Sequence, residues 1–165
     1  MNTSPTAGDM FDLSIAIEKE MVAFYCRLRQ LFGNLPVIRD FWGEMRDEEI
    51  EHIVQLRMLR DSLPSEKLSE EVDPAWVEKG VRILGEIQSS FEEPIANLNQ
   101  AYELAHEWEN GEINRIFLFL AEKYIGDKAR MKIAEKMIDN HLERLMEFIP
   151  GYQTAADREA VRASG

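Results

Sequence analysis

A chain of 165 residues with 45% hydrophobic content is long enough for one well-filled core and too short for two domains of ordinary size. Its formal net charge of −12 argues against a nucleic-acid surface and draws cations toward any cleft, and no run approaches the roughly 18 apolar residues of a membrane span. Cys26 is the one thiol, which excludes an internal disulfide, a Cys-x-x-Cys redox pair and a cysteine-built zinc or rubredoxin-type iron site. With no basic region and apolar stretch at Met1 to Asp9, the chain reads as cytoplasmic and untargeted.

Apolar residues recur at threes and fours with no sustained alternation of period two, so the expected class is all-α. The first helix is predicted from about Met10 to Phe32, with Asp9 as N-cap and Gly33-Asn34-Leu35-Pro36 as its stop. The second runs from about Val37 to Ser62, ending before Pro64, and the short joint makes the two antiparallel neighbours. Residues 63–74 are polar and acidic and read as a crossover, leading into a short helix that starts at Asp73-Pro74 and packs through Trp76, Gly80, Ile83 and Ile87. Ser90-x-x-Glu93 resembles a capping box, so a third long helix is expected from near Phe91 to Asn110-Gly111. The fourth carries the stripe Ile113, Phe117, Leu120, Tyr124, Asp127, Met131, Ala134, Ile138, His141, Leu145, Phe148 and stops at Pro150-Gly151, leaving residues 151–165 as a weakly ordered tail. Two helical hairpins joined by one long connection describe a four-helix bundle of the ferritin-like kind over residues 1–150. An internal repeat is drawn by sliding the second helix by 75, which lays Glu49 over Tyr124 and His52 over Asp127.

Charge inside the apolar seams marks the candidate site. The second-helix stripe is Ile38, Trp42, Met45, Glu49, His52, Leu56, Leu59, Leu63, so a Glu-x-x-His pair points into the core. A buried carboxylate beside an imidazole costs several kcal/mol unless paired, and a cation suits this spacing. Glu18 is the one charged group in the first-helix seam of Phe11, Ser14, Met21, Tyr25, Leu28 and Phe32. The turn at Gly33 to Pro36 lies near the midpoint between Glu18 and Glu49, which brings both to similar heights in an antiparallel pair. Two carboxylates and one imidazole suit iron, manganese or zinc better than copper(I) or calcium. Elsewhere, His141 reads as a hydrogen-bonded core histidine, His106 as half-exposed, and Asp47, Glu48 and Glu51 as solvated charges around the second helix.

Glu18 with Tyr25 seven residues later, followed by Phe41-Trp42-x-x-Met45-x-Asp47-Glu48-Glu49-x-x-His52, resembles the first half of the rubrerythrin and ferritin-like di-iron carboxylate proteins. The likeness covers about Ala16 to Leu56 well and about Phe91 to Met131 in outline. It implies an iron-binding protein, with one or two ions, that oxidises Fe(II) or reduces oxygen or peroxide as a non-haem oxidoreductase of peroxidase or ferroxidase type. It implies Glu18, Glu49 and His52 as ligands, an external electron donor, and side-by-side pairing into a homodimer. The second half departs from the pattern: Tyr124-Ile125-Gly126-Asp127 stands where a second Glu-x-x-His or Glu-x-x-Glu is due. Asp127 is then a candidate ligand of shorter reach, and Tyr124 a group to hydrogen-bond a bound oxygen species or relay an electron. For the third-helix ligand, counting back from Gly111 favours Glu92, whereas aligning Tyr102 with Tyr25 places Ile95 there. The competing expectation is a degenerate bundle with one metal or none, acting in storage, sensing or interaction.

Overall fold

Thr6 and Asp9 cap the first helix reciprocally: the Thr6 hydroxyl accepts from the Asp9 N–H at 3.2 Å and the Asp9 carboxylate accepts from the Thr6 N–H at 2.8 Å. The chain is seen here in a computed structural model that describes residues 4–163, and those residues are helical nearly throughout, with one isolated antiparallel bridge between Thr6 and Glu71. No helix among them is long and apolar enough to cross a membrane. The capped helix, α1, spans Ala7–Leu31, and α2 spans Pro36–Ser62 with proline in its first turn, where the missing N–H costs nothing. Arg60 near the end of α2 reaches Asp12 near the start of α1 at 3.1 Å, as an antiparallel hairpin requires. Between them lie the fully buried Phe11, Met21, Phe24, Tyr25 and Leu28 of α1 and Ile38, Trp42, Met45 and Leu56 of α2.

A single turn, α3 (Ser65–Leu68), precedes α4 (Pro74–Ser90), which Asp73 caps by accepting from the Ala75 N–H. This helix lies against α1. A Cβ on Gly80 would stand 2.6 Å from Leu13 Cδ2, so the approach depends on the absent side chain.

The remaining helices differ from the expected boundaries. Residues 91–97 are not helical: Ser90 ends α4 with its hydroxyl on the Ile87 carbonyl, and the Arg27 guanidinium takes the carbonyls of Ser90 and Glu93. Pro94 adds its own obstacle, since it disfavours helical geometry at Glu93. The next helix, α5, is Leu98–Glu109, with Asn97 accepting from the Gln100 N–H. After Asn110-Gly111 comes α6 (Glu112–Tyr124), and after Ile125-Gly126-Asp127 comes α7 (Lys128–Ala163). The predicted fourth helix is therefore divided at residues 125–127, where the Asp127 carboxylate accepts from the Ala129 N–H at 2.7 Å and opens a new helix. Pro150 does not stop α7, because Ile149 is fully buried and Tyr152 packs on the core beyond it; the expected tail is helical to Ala163.

Side-chain pairs give the helix directions. Phe11 meets Tyr124 with ring centroids 5.6 Å apart and Phe24 meets Trp108 at 4.8 Å, so α5 and α6 run antiparallel to α1. Phe41 stacks on Phe148 at 4.2 Å, and Arg144 reaches Glu44 at 2.9 Å, so α7 runs antiparallel to α2. It follows that α2 and α5–α6 point the same way. The chain must return along the molecule between them, which it does through residues 63–97.

Candidate metal centre

Five charged or ionisable side chains, each 1% exposed, converge between these helices: Glu18 from α1, Glu49 and His52 from α2, Glu109 at the last position of α5, and His141 from α7. Helical spacing puts Glu49 and His52 on one face of α2, between buried Met45 and Leu56, and Glu18 falls in the same seam of α1 as Met21 and Tyr25. Glu109 lies one turn after buried Ala105, and its carbonyl and carboxylate both accept from Asn114 Nδ2, at 2.6 and 3.2 Å, across the Asn110-Gly111 break.

The geometry divides into two groups that share one carboxylate. Glu18, Glu49 and His52 offer ligand atoms within 4.8 Å of one another, and so do Glu49, Glu109 and His141. Glu49 Oε2 lies 2.8 Å from His52 Nδ1, while its Oε1 lies 3.0 Å from His141 Nε2. Glu18 Oε2 is 3.8 Å from His52 Nδ1, and Glu109 Oε1 is 3.1 Å from His141 Nε2. Around this centre, Tyr25 donates its hydroxyl proton to Glu109 Oε1 at 2.7 Å, and His141 Nδ1 donates to Glu48 Oε2 at 2.7 Å.

Electrostatics follow from burying three carboxylates with two imidazoles. Burial, and then the Glu49 charge, lift Glu18 to about 8. Burial alone would lower His52, but Glu49 and Glu18 outweigh it and raise the imidazole to about 10. His141 is likewise driven well above its ordinary value against burial, by Glu109 and Glu49. Burial, with Glu49 beside it, raises Glu109, whereas Glu49 overcomes burial and drops well below its ordinary range because both histidines face it. Tyr25 is pushed well above 10 by burial and by Glu109, so it stays a neutral donor.

Proximity does not amount to satisfaction. Glu18 Oε1 and Oε2, Glu49 Oε1 and His141 Nε2 are all inaccessible to solvent and make no hydrogen bond of acceptable geometry. Buried polar atoms are rarely left so, and these four belong to residues of the two groups just described. The donor set, three carboxylates and two imidazoles, fits a borderline or hard divalent cation such as iron, manganese or zinc.

Of the metal ligands and the catalytic residue expected from sequence, the structure brings Glu18, Glu49 and His52 together and leaves Glu92, Asp127 and Tyr124 elsewhere. Glu92 is exposed in the segment after α4, because the expected helix does not begin there. Asp127 is exposed and occupied in capping α7. Tyr124 is half-buried at the end of α6, its ring against Phe11 and its hydroxyl without a partner, and it belongs to neither group. Sequence reasoning passed over Glu109, took His141 for an ordinary core histidine and took Glu48 for a solvated charge. A signal was present: Glu109 and His141 are 32 residues apart, close to the 34 between Glu18 and His52, so a slide near 90 rather than 75 relates the halves. Under that slide Glu49 falls on buried Ile138. Scanning against protein-family models and searching curated proteins and solved structures returned no match to this chain.

Proposed function

We propose that this chain is a ferritin-like metalloprotein of rubrerythrin type, a four-helix bundle of α1, α2, the interrupted pair α5–α6, and α7, that binds two divalent metal ions, iron first among them. The bundle reading is supported by the helix directions: α2 and α5–α6 are parallel and joined by a long crossover holding α4. The observation that carries metal binding is the set of four buried side-chain atoms with no hydrogen-bond partner, all on residues of the two groups that share Glu49.

Glu18 and His52 would hold one ion, Glu109 and His141 the other, with Glu49 offering one oxygen to each. Glu48 fixes the His141 ring through Nδ1, which leaves Nε2 for the ion. Tyr25 and Asn114 together orient Glu109. Redox-active ions at such a centre supply one-electron chemistry toward oxygen or peroxide, and Fe(II) itself could be the substrate. The protein's part is to exclude water, hold the carboxylates, and keep the Tyr25 proton on its oxygen. Electrons for turnover would come from an outside donor, since Cys26 is the one thiol in the sequence.

A second reading, one ion or none, is favoured by Ile138. It stands three residues before His141, as Glu49 stands before His52, so the second half lacks a matching carboxylate. The test is metal content of the full chain, made in iron-supplemented medium, beside Glu49→Ala and His141→Ala. The proposal expects about two ions per chain, about one in His141→Ala and close to none in Glu49→Ala. One ion in the unaltered chain supports the single-ion reading, and none overturns metal binding.

A further inference from the structure

The division of α6 from α7 at residues 125–127 borders a cavity of about 390 Å³ between α2, α6 and α7. Its walls include the buried Leu56, Phe117, Ala121 and Ala134, while Met58 and Ile133 leave apolar surface open at the rim, 58% and 62% exposed. The Phe117 ring, part of that wall, lies 5.3 Å from the His52 ring, so a single aromatic side chain intervenes between the cavity and the buried centre. Arg130 is the one charged residue in the lining, and it makes no hydrogen bond or ion pair among the described residues.

We infer that this cavity binds a single-chain amphiphile with a carboxylate head, of the medium-chain fatty acid class, its head on Arg130 and its chain against Leu56 and Phe117. The size is at the small end of the roughly 300–1,000 Å³ typical of small-molecule sites, which fits one acyl chain and excludes a diacyl lipid or a protein helix. The wall is apolar apart from Gln55, Ser62 and Arg130, and the Ser62 hydroxyl is already used on the Leu59 carbonyl. An unpaired guanidinium fork at an apolar cleft matches a carboxylate in a two-point contact. A doubly charged phosphate head is disfavoured by the field of a chain with net charge −12. The binding claim stands on the cavity alone; only its use, presenting the chain to the centre past Phe117, rests on the metal reading.

The test is isothermal titration of decanoate, decanol and decyl phosphate into the full chain, with and without metal, beside Arg130→Glu and Ala134→Trp. Arg130 is exposed, so its reversal leaves the fold intact, and circular dichroism checks that Ala134→Trp is folded. Saturable decanoate binding is expected, tighter than decanol by about 10- to 100-fold, the worth of a charge-assisted contact. Arg130→Glu should erase that preference and leave decanol binding unchanged, and Ala134→Trp should abolish both. Absence of saturable binding, equal binding by Arg130→Glu, or preference for decyl phosphate overturns the assignment. So does self-association that Arg130→Glu disrupts and decanoate does not, which would make a second copy the occupant. Metal content of the same samples separates the two readings: ions retained without decanoate binding sink only the cavity assignment, and decanoate bound by a chain that never takes up ions sinks only the metal centre.

Discussion

His141 and Glu48 hold each other across the α2–α7 interface, with the imidazole Nδ1 donating to Glu48 Oε2 at 2.7 Å and Arg144 bracing the other oxygen at 3.1 Å. One nitrogen of the ring is thereby committed, and the other is turned toward Glu49 and Glu109. Glu48 is only partly exposed, at 27% for its side chain, so the contact is shielded from bulk water. Removing such an outer partner typically costs 10- to 100-fold in metal affinity. Glu48→Gln should therefore weaken binding by about that factor with an unchanged helical spectrum, as read by competition with a chromophoric chelator. An unaltered affinity would show that the His141 ring is oriented by packing alone.

Tyr25 gives a second handle on the same half. Its ring stacks on Trp42 with centroids 5.8 Å apart, and Tyr25→Phe retains that contact while deleting the donor to Glu109. A buried acceptor deprived of its donor costs about 1–3 kcal/mol. Urea unfolding of the metal-free protein should show a loss of that size.

The pH dependence of the metal-free protein has a defined sign. Glu18, ordinarily near 4.5, sits at about 8, and His52, ordinarily near 6.5, sits at about 10, so the folded state binds protons that the unfolded chain releases. Their contribution to stability is fully present below the lower value of each pair and is lost as pH rises through the upper one. Glu49, held well below its ordinary value, works oppositely and loses its contribution as pH falls below about 4.5. Thermal unfolding midpoints should thus decline between pH 5 and 10 without metal, and Glu18→Gln should flatten the part below about pH 8. With metal present the slope should reverse over the same range, because the ligands must shed protons to coordinate.

Two glycines should respond with opposite signs. A Cβ at Gly111 would lie 2.9 Å from the Glu107 carbonyl oxygen and 3.4 Å from that of Trp108, and backbone atoms cannot swing aside. Gly111→Ala should cost about 1–3 kcal/mol, and, next to Glu109 and Asn114, should lower metal content as well. Gly85, exposed in the middle of α4, meets nothing within 4 Å. Gly85→Ala should raise stability by about 0.5–1 kcal/mol in the same denaturation series.

Legibility from sequence followed the reach of local rules. The α1–α2 hairpin could be read because Glu18, Glu49 and His52 are charges in unbroken apolar seams, and the turn between them is announced by Gly33 to Pro36. In the second half periodicity alone could not rank two interruptions. Asn110-Gly111 is the stronger turn signal in composition, yet α5 and α6 on either side of it both pack on α7. Ile125-Gly126-Asp127 looked like continuous stripe, yet the chain reverses there. Choosing the wrong reversal displaced the internal repeat by 14 residues, which put Tyr124 and Asp127 where Ile138 and His141 belong. Glu109 was hidden by the same error, since a residue at an expected helix end is not counted as core. Only contacts between distant segments decide such a choice.

The separations inside the centre also order its assembly. Glu18, Glu49 and His52 come from one hairpin, whereas Tyr25 finds Glu109 across 84 residues of chain and Glu48 finds His141 across 93. Closing a longer loop adds only about 0.6 kcal/mol per doubling, but contacts of that range form late when a local hairpin can form early. Glu18, Glu49 and His52 therefore gather while still wet, and the docking of α5 and α7 is the step that dries them. Substitutions in the α1–α2 seam will act mainly on the folding rate, and those at Glu109 or His141 mainly on the rate of unfolding.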